Sequence, residues 1–562
     1  MYEGKFAVPG PGSWELETTH LSRPLSRWMA AVWPAAMMQG FRAGSAEYGM
    51  LLDYLEVAIV DGFAYMCPRP VGAPKGAKGP PPKFVFKMLS RLHPALRKRN
   101  KRAGEVFATK FWREDLRQWD ATWKPAIVAT NAALAAIDPA TLDVPALIAH
   151  LEAVQAQLTK CIVQHHRLNP CAMLPTGDFL VHAKGWTKKS SRELLGLLRG
   201  SSPVSVGATE ELARLVAALR ADPGARAAVE STAPAAETMA ALRGHAGEVG
   251  AAMRAYVDVV GLRIISSYDP ADQYALEIPE VLICTIKAAV AATERPSEAA
   301  AVAAETARVR DAVPEPHRAE FDALLAEARA VYRVRDERCY LSDAFAVGIA
   351  RRALLSAGDR LAAAGKLASR DHVCELLPGE VLAMLRGEPG PAVAETAAYA
   401  TYRATRSVAD APALLGFPKS GPPPAEWLPP EAARMMRAIG AILCEMFDVA
   451  EKDTASKVVR GLAASPGSYE GRARLVLGAD QFSRIEKGDV LIARTTSPAY
   501  NVLLPLIGGI VTDRGGLLSH AAIVAREYGM PAVVGTTDGT THVPDGARVR
   551  VDGATGEVRI LS

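Results

Sequence analysis

The hydrophobic pattern changes character once along the chain, near residue 455. Before that point, apolar positions recur at spacings of three and four. Between 140 and 260 the stretches LEAVQAQLTKCIVQHH, ATEELARLVAALRA and ETMAALRGHAGEVGAAMRAYVDVVG show it clearly. Such spacing lines one face of a helix with apolar side chains. The same pattern predicts helix through most of 84–135 and again in 296–335, 351–367 and 430–448. Between these lie a Pro/Gly-rich loop at 68–83, a polar break at 261–285 and a proline-punctuated stretch at 385–430. After 455, short Val/Ile runs replace the alanine-rich helices. They fall at 473–477, 489–494, 508–513, 531–535, 548–552 and 557–560 and predict strands. Asp-Gly pairs at 538–539, 545–546 and 552–553 mark turns among them. A single helix is expected in this part, at 520–529.

The fold class that follows is multidomain α plus α/β. A large, mostly helical region, 1–450, comprises two subdomains, 1–135 and 136–450. A compact β-rich α/β domain, 455–562, follows it, with a hinge expected at 449–460. The 562 residues are enough for several cores. With 65 basic and 61 acidic residues, the net charge of +4 exerts no global pull toward nucleic acid or membrane. The basic run Arg97–Arg102 has no interleaved aromatics and reads as a solvated helix face. The seven cysteines are scattered and form no CxxC pair, which points to a reducing compartment and away from a metal cluster. The most apolar stretch, 499–511, is short and broken by proline and glycine. A cytoplasmic protein is therefore expected, with neither nucleic acid nor membrane as partner. No Walker A motif and no GxGxxG motif occurs.

The densest chemistry lies in Gly515-Gly516-Leu517-Leu518-Ser519-His520. The glycine pair lets the backbone turn tightly and approach a ligand. Ser519 suits an N-cap, placing His520 in the first turn of the predicted helix. Free N–H groups and the positive end of the dipole there favour an anion and a neutral imidazole. A neutral imidazole can attack phosphorus and carry a phosphoryl group. Arg494, Arg514 and Arg526 are candidate counter-charges, with Gly515, Gly516 and Ser519 as further phosphate-binding positions. On the residues alone, a phosphoryl carrier and a structural helix-capping histidine both remain open.

Residues 508–535, GGIVTDRGGLLSHAAIVAREYGMPAVVG, resemble the swivelling phosphohistidine domain of the phosphoenolpyruvate-utilising enzymes. The resemblance extends to 461–476 and 488–500. It implies that His520 is the phosphorylated residue. Synthase and dikinase members carry Thr-Ser before the histidine, whereas this chain has Leu518-Ser519, so regulation through that threonine is not expected. The first 450 residues do not resemble an ATP-grasp domain, and no pyruvate-binding barrel is expected in the chain. More loosely, they resemble the helical substrate-binding region of the rifampicin phosphotransferase and phenylphosphate synthase branch. The fragments that carry this are WELETTH with Arg23-Pro24, Tyr268-Asp269-Pro270 with Glu277 and Pro279, and VRDER with Tyr340.

Candidate acceptor-binding residues come from three regions. Trp14, His20 and Arg23 belong to an aromatic-rich start that suits either an organic pocket or an apolar packing segment. His165 and His166 are adjacent on a helix, diverge by about 100° and so do not form a metal pair, but one could act as a general base. Arg263 lies in the polar break, and Arg335, Glu337 and Arg338 in a dense charged helix that a solvated surface would also explain. No metal site and no tightly bound cofactor is expected. The resemblance implies ATP and magnesium on a separate ATP-grasp-type subunit that charges His520, and a small organic acceptor whose hydroxyl receives the phosphoryl group. Two alternatives stand beside this. The chain could be a regulatory carrier whose helical body binds a protein partner, or an enzyme that phosphorylates its substrate transiently to drive elimination or condensation.

Overall fold

The computed structural model describes residues 4–202, 210–265, 268–291, 299–447, 458–496, 500 and 503–561. Residues 449–457 of the expected hinge lie outside the described residues. The architecture is a large, mostly helical N-terminal region followed by a compact β-rich domain. Contacts divide the chain into two units. The first comprises 1–174, 267–272 and 341–439; the second comprises 175–266, 273–340 and 440–562.

The first unit contains long helices such as Arg27–Tyr48, Val144–Arg167 and Ala344–Ala363. It also contains a small sheet that the sequence pattern does not reveal. Strands β1 (Ser13–Leu16), β2 (Leu52–Val60), β3 (Phe63–Pro70) and β4 (Leu414–Gly416) form it in the order β2-β3-β1-β4. Each β1 neighbour is antiparallel, with Glu15 opposite Met66 and Trp14 opposite Leu415. Trp14, Phe63, Tyr65 and Leu415 pack together beneath it. β4 falls inside the stretch 385–430 expected to be irregular, which also holds the helix Val393–Thr405. Its three residues are too few to show a period of two.

The second unit carries an eight-stranded sheet. Its strands are β5 (Val458–Arg460), β6 (Leu462–Ser465), β7 (Ser468–Val476), β8 (Val490–Ala493), β9 (Gly509–Thr512), β10 (Ala532–Val534), β11 (Arg548–Asp552) and β12 (Glu557–Ile560). The order is β5-β12-β11-β7-β8-β9-β10-β6. The centre, β7-β8-β9-β10, is parallel, and the flanking pairs are antiparallel. Central strands buried on both faces read as unbroken apolar runs, which is why VLIA and GIVT were legible. Their side chains alternate. Leu491, Ile510 and Val534 join the helix residues Ala522 and Val524 on one face. Val490, Ile492, Val511 and Val549 form the core on the other. The first of these cores continues into helices of 212–290, through Leu215, Met253, Leu282 and Ile286. The β-rich domain and this helical segment thus share one apolar interior.

Candidate functional site

The parallel strands β8 and β9 end side by side, and the loops leaving them build the site. In open α/β sheets, ligand sites form beyond the carboxyl ends of such strands. Arg514 N–H donates to the Arg494 carbonyl at 2.9 Å, joining the two loops directly after the strands. Asp513 is buried and holds the turn from beneath. Its side chain accepts from Thr536 Oγ1 at 3.1 Å and Thr540 N–H at 2.9 Å. Gly515 then adopts φ 102°, a conformation that favours glycine. Gly516 lies against the end of the helix Pro430–Phe447, where its N–H donates to the Met446 carbonyl at 2.9 Å. A Cβ at Gly516 would sit 2.1 Å from the Glu445 carbonyl oxygen, so no side chain fits there. Leu518 N–H donates to that same carbonyl at 3.0 Å. The Glu445 carboxylate is itself held by Ser191 and by Lys184 Nζ.

Ser519 caps the helix His520–Glu527, its hydroxyl accepting from Ala522 N–H at 3.4 Å. His520 is thus the first helical residue. The small apolar residues Ala521, Ala522, Val524 and Ala525 let this helix settle closely on the sheet. The His520 ring is half-buried, and its pKa is lowered to about 4. Burial is the main cause. The Asp336 carboxylate opposes it, and the Arg335 guanidinium adds to it. The ring is therefore neutral, and so nucleophilic, at neutral pH.

Arg335 and Asp336 lie on the short helix Val334–Glu337, about 185 residues earlier in the chain. Asp336 is buried and accepts from Ser202 Oγ at 3.2 Å. Glu337 is buried, and each of its carboxylate oxygens accepts from Arg333 Nη1 at 2.9 Å; Arg338 is buried beside it. Arg263, in the same unit, is buried with its guanidinium carbon 3.5 Å from the Tyr340 ring centroid.

The structure therefore gathers Arg494, Arg514, Gly515, Gly516, Ser519 and His520 at one end of the sheet and sets Arg335 near the ring. It does not bring Arg526 there. Arg526 lies about 9 Å farther along the helix axis. Its buried guanidinium donates to the Ala464 carbonyl at 3.3 Å and bonds Tyr332, so it serves packing and is removed from the phosphate-binding set. Asp336, Asp513 and Glu445 were not singled out as site residues from the sequence. Asp336 lies in the charged fragment VRDER without being a site candidate there, and the other two act through contacts that no local motif announces.

The remaining candidates belong to the first unit. Trp14 is buried in the core of the small sheet, with Nε1 donating to the Gly10 carbonyl at 2.8 Å. It is a packing residue, which corrects the expectation of a pocket wall. His20 is half exposed, its Nδ1 3.3 Å from Glu17 and its ring edge-on to Tyr268. Arg23 forms an ion pair with buried Asp272. His165 Nδ1 lies 2.5 Å from Asp343, and His166 Nδ1 lies 3.4 Å from Asn169 Nδ2. No described helix is long and apolar enough to cross a membrane.

A partly parallel sheet that presents a histidine in the first turn of a helix beyond a glycine turn is the architecture of a known mobile domain. Residues 485–556 match the mobile domain of the PEP-utilising enzymes. The chain thus carries a domain of that family, and residues 176–336 match the fourth domain of rifampicin phosphotransferase. Among curated relatives, an uncharacterized phosphotransferase of Bacillus subtilis is 34% identical over 246 residues, 44% of this chain and 28% of the relative. A rifampicin phosphotransferase of Streptomyces sp is 30% identical over 325 residues, 55% of this chain and 34% of the relative. A phosphoenolpyruvate synthase of Aeropyrum pernix is 48% identical over 102 residues, 18% of this chain and 12% of the relative. The chain thus spans about a third or less of the length of the relatives it matches.

Proposed function

We propose that this chain is a phosphotransferase component that carries a phosphoryl group on His520 and delivers it to a hydroxyl of a small organic acceptor. The observation that carries the reading is a neutral histidine at a helix N-terminus, set beyond the ends of parallel strands and flanked by Arg335 and Asp336. In the first half-reaction, an imidazole nitrogen attacks a phosphoryl group of ATP held with magnesium on an ATP-grasp-type partner subunit. The P–N bond forms as the P–O bond to the departing phosphate chain breaks. In the second, the acceptor oxygen attacks, the P–N bond breaks and the hydroxyl proton leaves to a nearby base. Arg494, Arg514 and Arg335 offset charge on the phosphoryl oxygens. Asp336 favours the protonated ring, which is the better leaving group. The family match and the kinship to rifampicin phosphotransferase support this assignment.

The test is incubation with labelled ATP and an ATP-grasp partner, followed by acid and alkali treatment. Wild type should acquire an acid-labile, alkali-stable label, and His520→Ala should acquire none. Label on the alanine variant would refute the assignment. Label that no small molecule ever discharges would favour the regulatory carrier instead.

A further inference from the structure

Arg263 follows the helix Gly247–Val260, and only 7% of its surface is exposed. Its backbone is fixed on both sides. The N–H donates to the Val260 carbonyl at 3.1 Å, and the carbonyl accepts from Ala275 N–H at 3.0 Å. The guanidinium stacks on Tyr340, yet its Nε and Nη1 are buried with no hydrogen-bond partner. Besides burial, Tyr340 and Tyr256 act most on its charge and Glu211 acts less; Tyr340 also hydrogen-bonds the guanidinium, which leaves Nε and Nη1 as the atoms without a partner. Burial lowers its pKa from the ordinary guanidinium value, but arginine does not shed its proton in proteins. A buried cation with unmade bonds is a costly arrangement unless an anion completes it. Tyr340, which stacks on this cation, is itself only half-buried. Tyr340 also lies five residues after Arg335, whose charge acts on His520.

We propose that Arg263 is an anion receptor that binds a carboxylate of the acceptor, so that the molecule phosphorylated is a hydroxy acid. This rests on the phosphoryl-transfer reading of His520. A carboxylate suits the site better than a phosphate because its single negative charge balances one guanidinium, whereas a dianion would leave a buried excess. The planar guanidinium also matches a planar carboxylate.

The experiment is calorimetric titration of the full chain with acetate, benzoate and inorganic phosphate, with circular dichroism confirming that each variant is folded. Wild type should bind one of the carboxylates with a Kd of about 1 mM or tighter, and Arg263→Met should weaken it at least about tenfold. Arg263→Lys keeps the charge without the fork and should also bind more weakly; it carries the comparison if the methionine variant does not fold. Three results overturn the proposal: no carboxylate binding below about 10 mM, equal carboxylate binding by the variants, or tighter binding of phosphate than of either carboxylate. The two readings fail separately. Carboxylate binding without label on His520 would remove the transfer reading and the hydroxy-acid acceptor with it, leaving Arg263 as an anion receptor. Label on His520 without carboxylate binding would remove only the role of Arg263.

Discussion

Acid should weaken the fold through His520, and by an amount that can be calculated. In the folded protein the ring stays neutral down to about pH 4, against an ordinary value of 6.5. Between those values the unfolded chain binds the proton and the folded chain does not. Stability therefore falls as the pH drops through about 6.5 and levels off below about 4. The difference corresponds to about 3 kcal/mol. Other groups titrate in the same range, among them buried Asp115 at about 6, so the measurement must be differential. Urea unfolding of wild type and His520→Gln from pH 8 to pH 4 isolates the contribution, because the glutamine cannot titrate. The stability of wild type relative to the variant should fall by about 3 kcal/mol across that range. Proton NMR of the ring should place its midpoint near 4. Arg335→Met should raise the midpoint, and Asp336→Asn should lower it further. A midpoint at or above 6.5, or a pH-independent difference between the two proteins, would refute the argument that burial keeps this imidazole neutral.

Gly516→Ala should cost about 2–4 kcal/mol in urea unfolding, because the new methyl group displaces the Glu445 carbonyl and breaks the bonds from Gly516 and Leu518; a cost under about 1 kcal/mol would contradict the close approach. Arg526→Met should lower stability by about 1–3 kcal/mol while leaving the labelling of His520 intact, and loss of label in a folded variant would return Arg526 to the phosphate site. Trp14→Ala should cost about 3–5 kcal/mol through the cavity beneath the small sheet, measured by chemical denaturation; a cost within about 1 kcal/mol would show that the ring is not part of that core.

Much of this protein is written locally. Helical spacing, the unbroken apolar runs VLIA and GIVT and the change in composition near 455 each reflect a preference that a few neighbouring residues satisfy among themselves. The same holds for the turn before His520. Gly515 needs a positive φ, Ser519 supplies a cap and small residues follow, so the histidine's place at the helix start was legible from ten residues. What surrounds that histidine was not. Burial governs its charge, and the two residues that modulate it, Arg335 and Asp336, arrive from a distant helix. The carbonyls that pin the glycine turn come from the end of another. Trp14 and Arg526 look like site residues in a linear reading because aromatic and basic side chains serve ligands and cores equally well. Only burial and partners separate the two uses, and both depend on which remote segments pack together. The small sheet makes the same point, since a three-residue strand near 415 has no period of its own and exists because β1 pairs with it. The sequence thus determined the elements and the place of His520 at its helix start. The tertiary structure decided its ionisation, its anchoring and which charged groups stand beside it, because those are set by contacts between residues far apart in the chain.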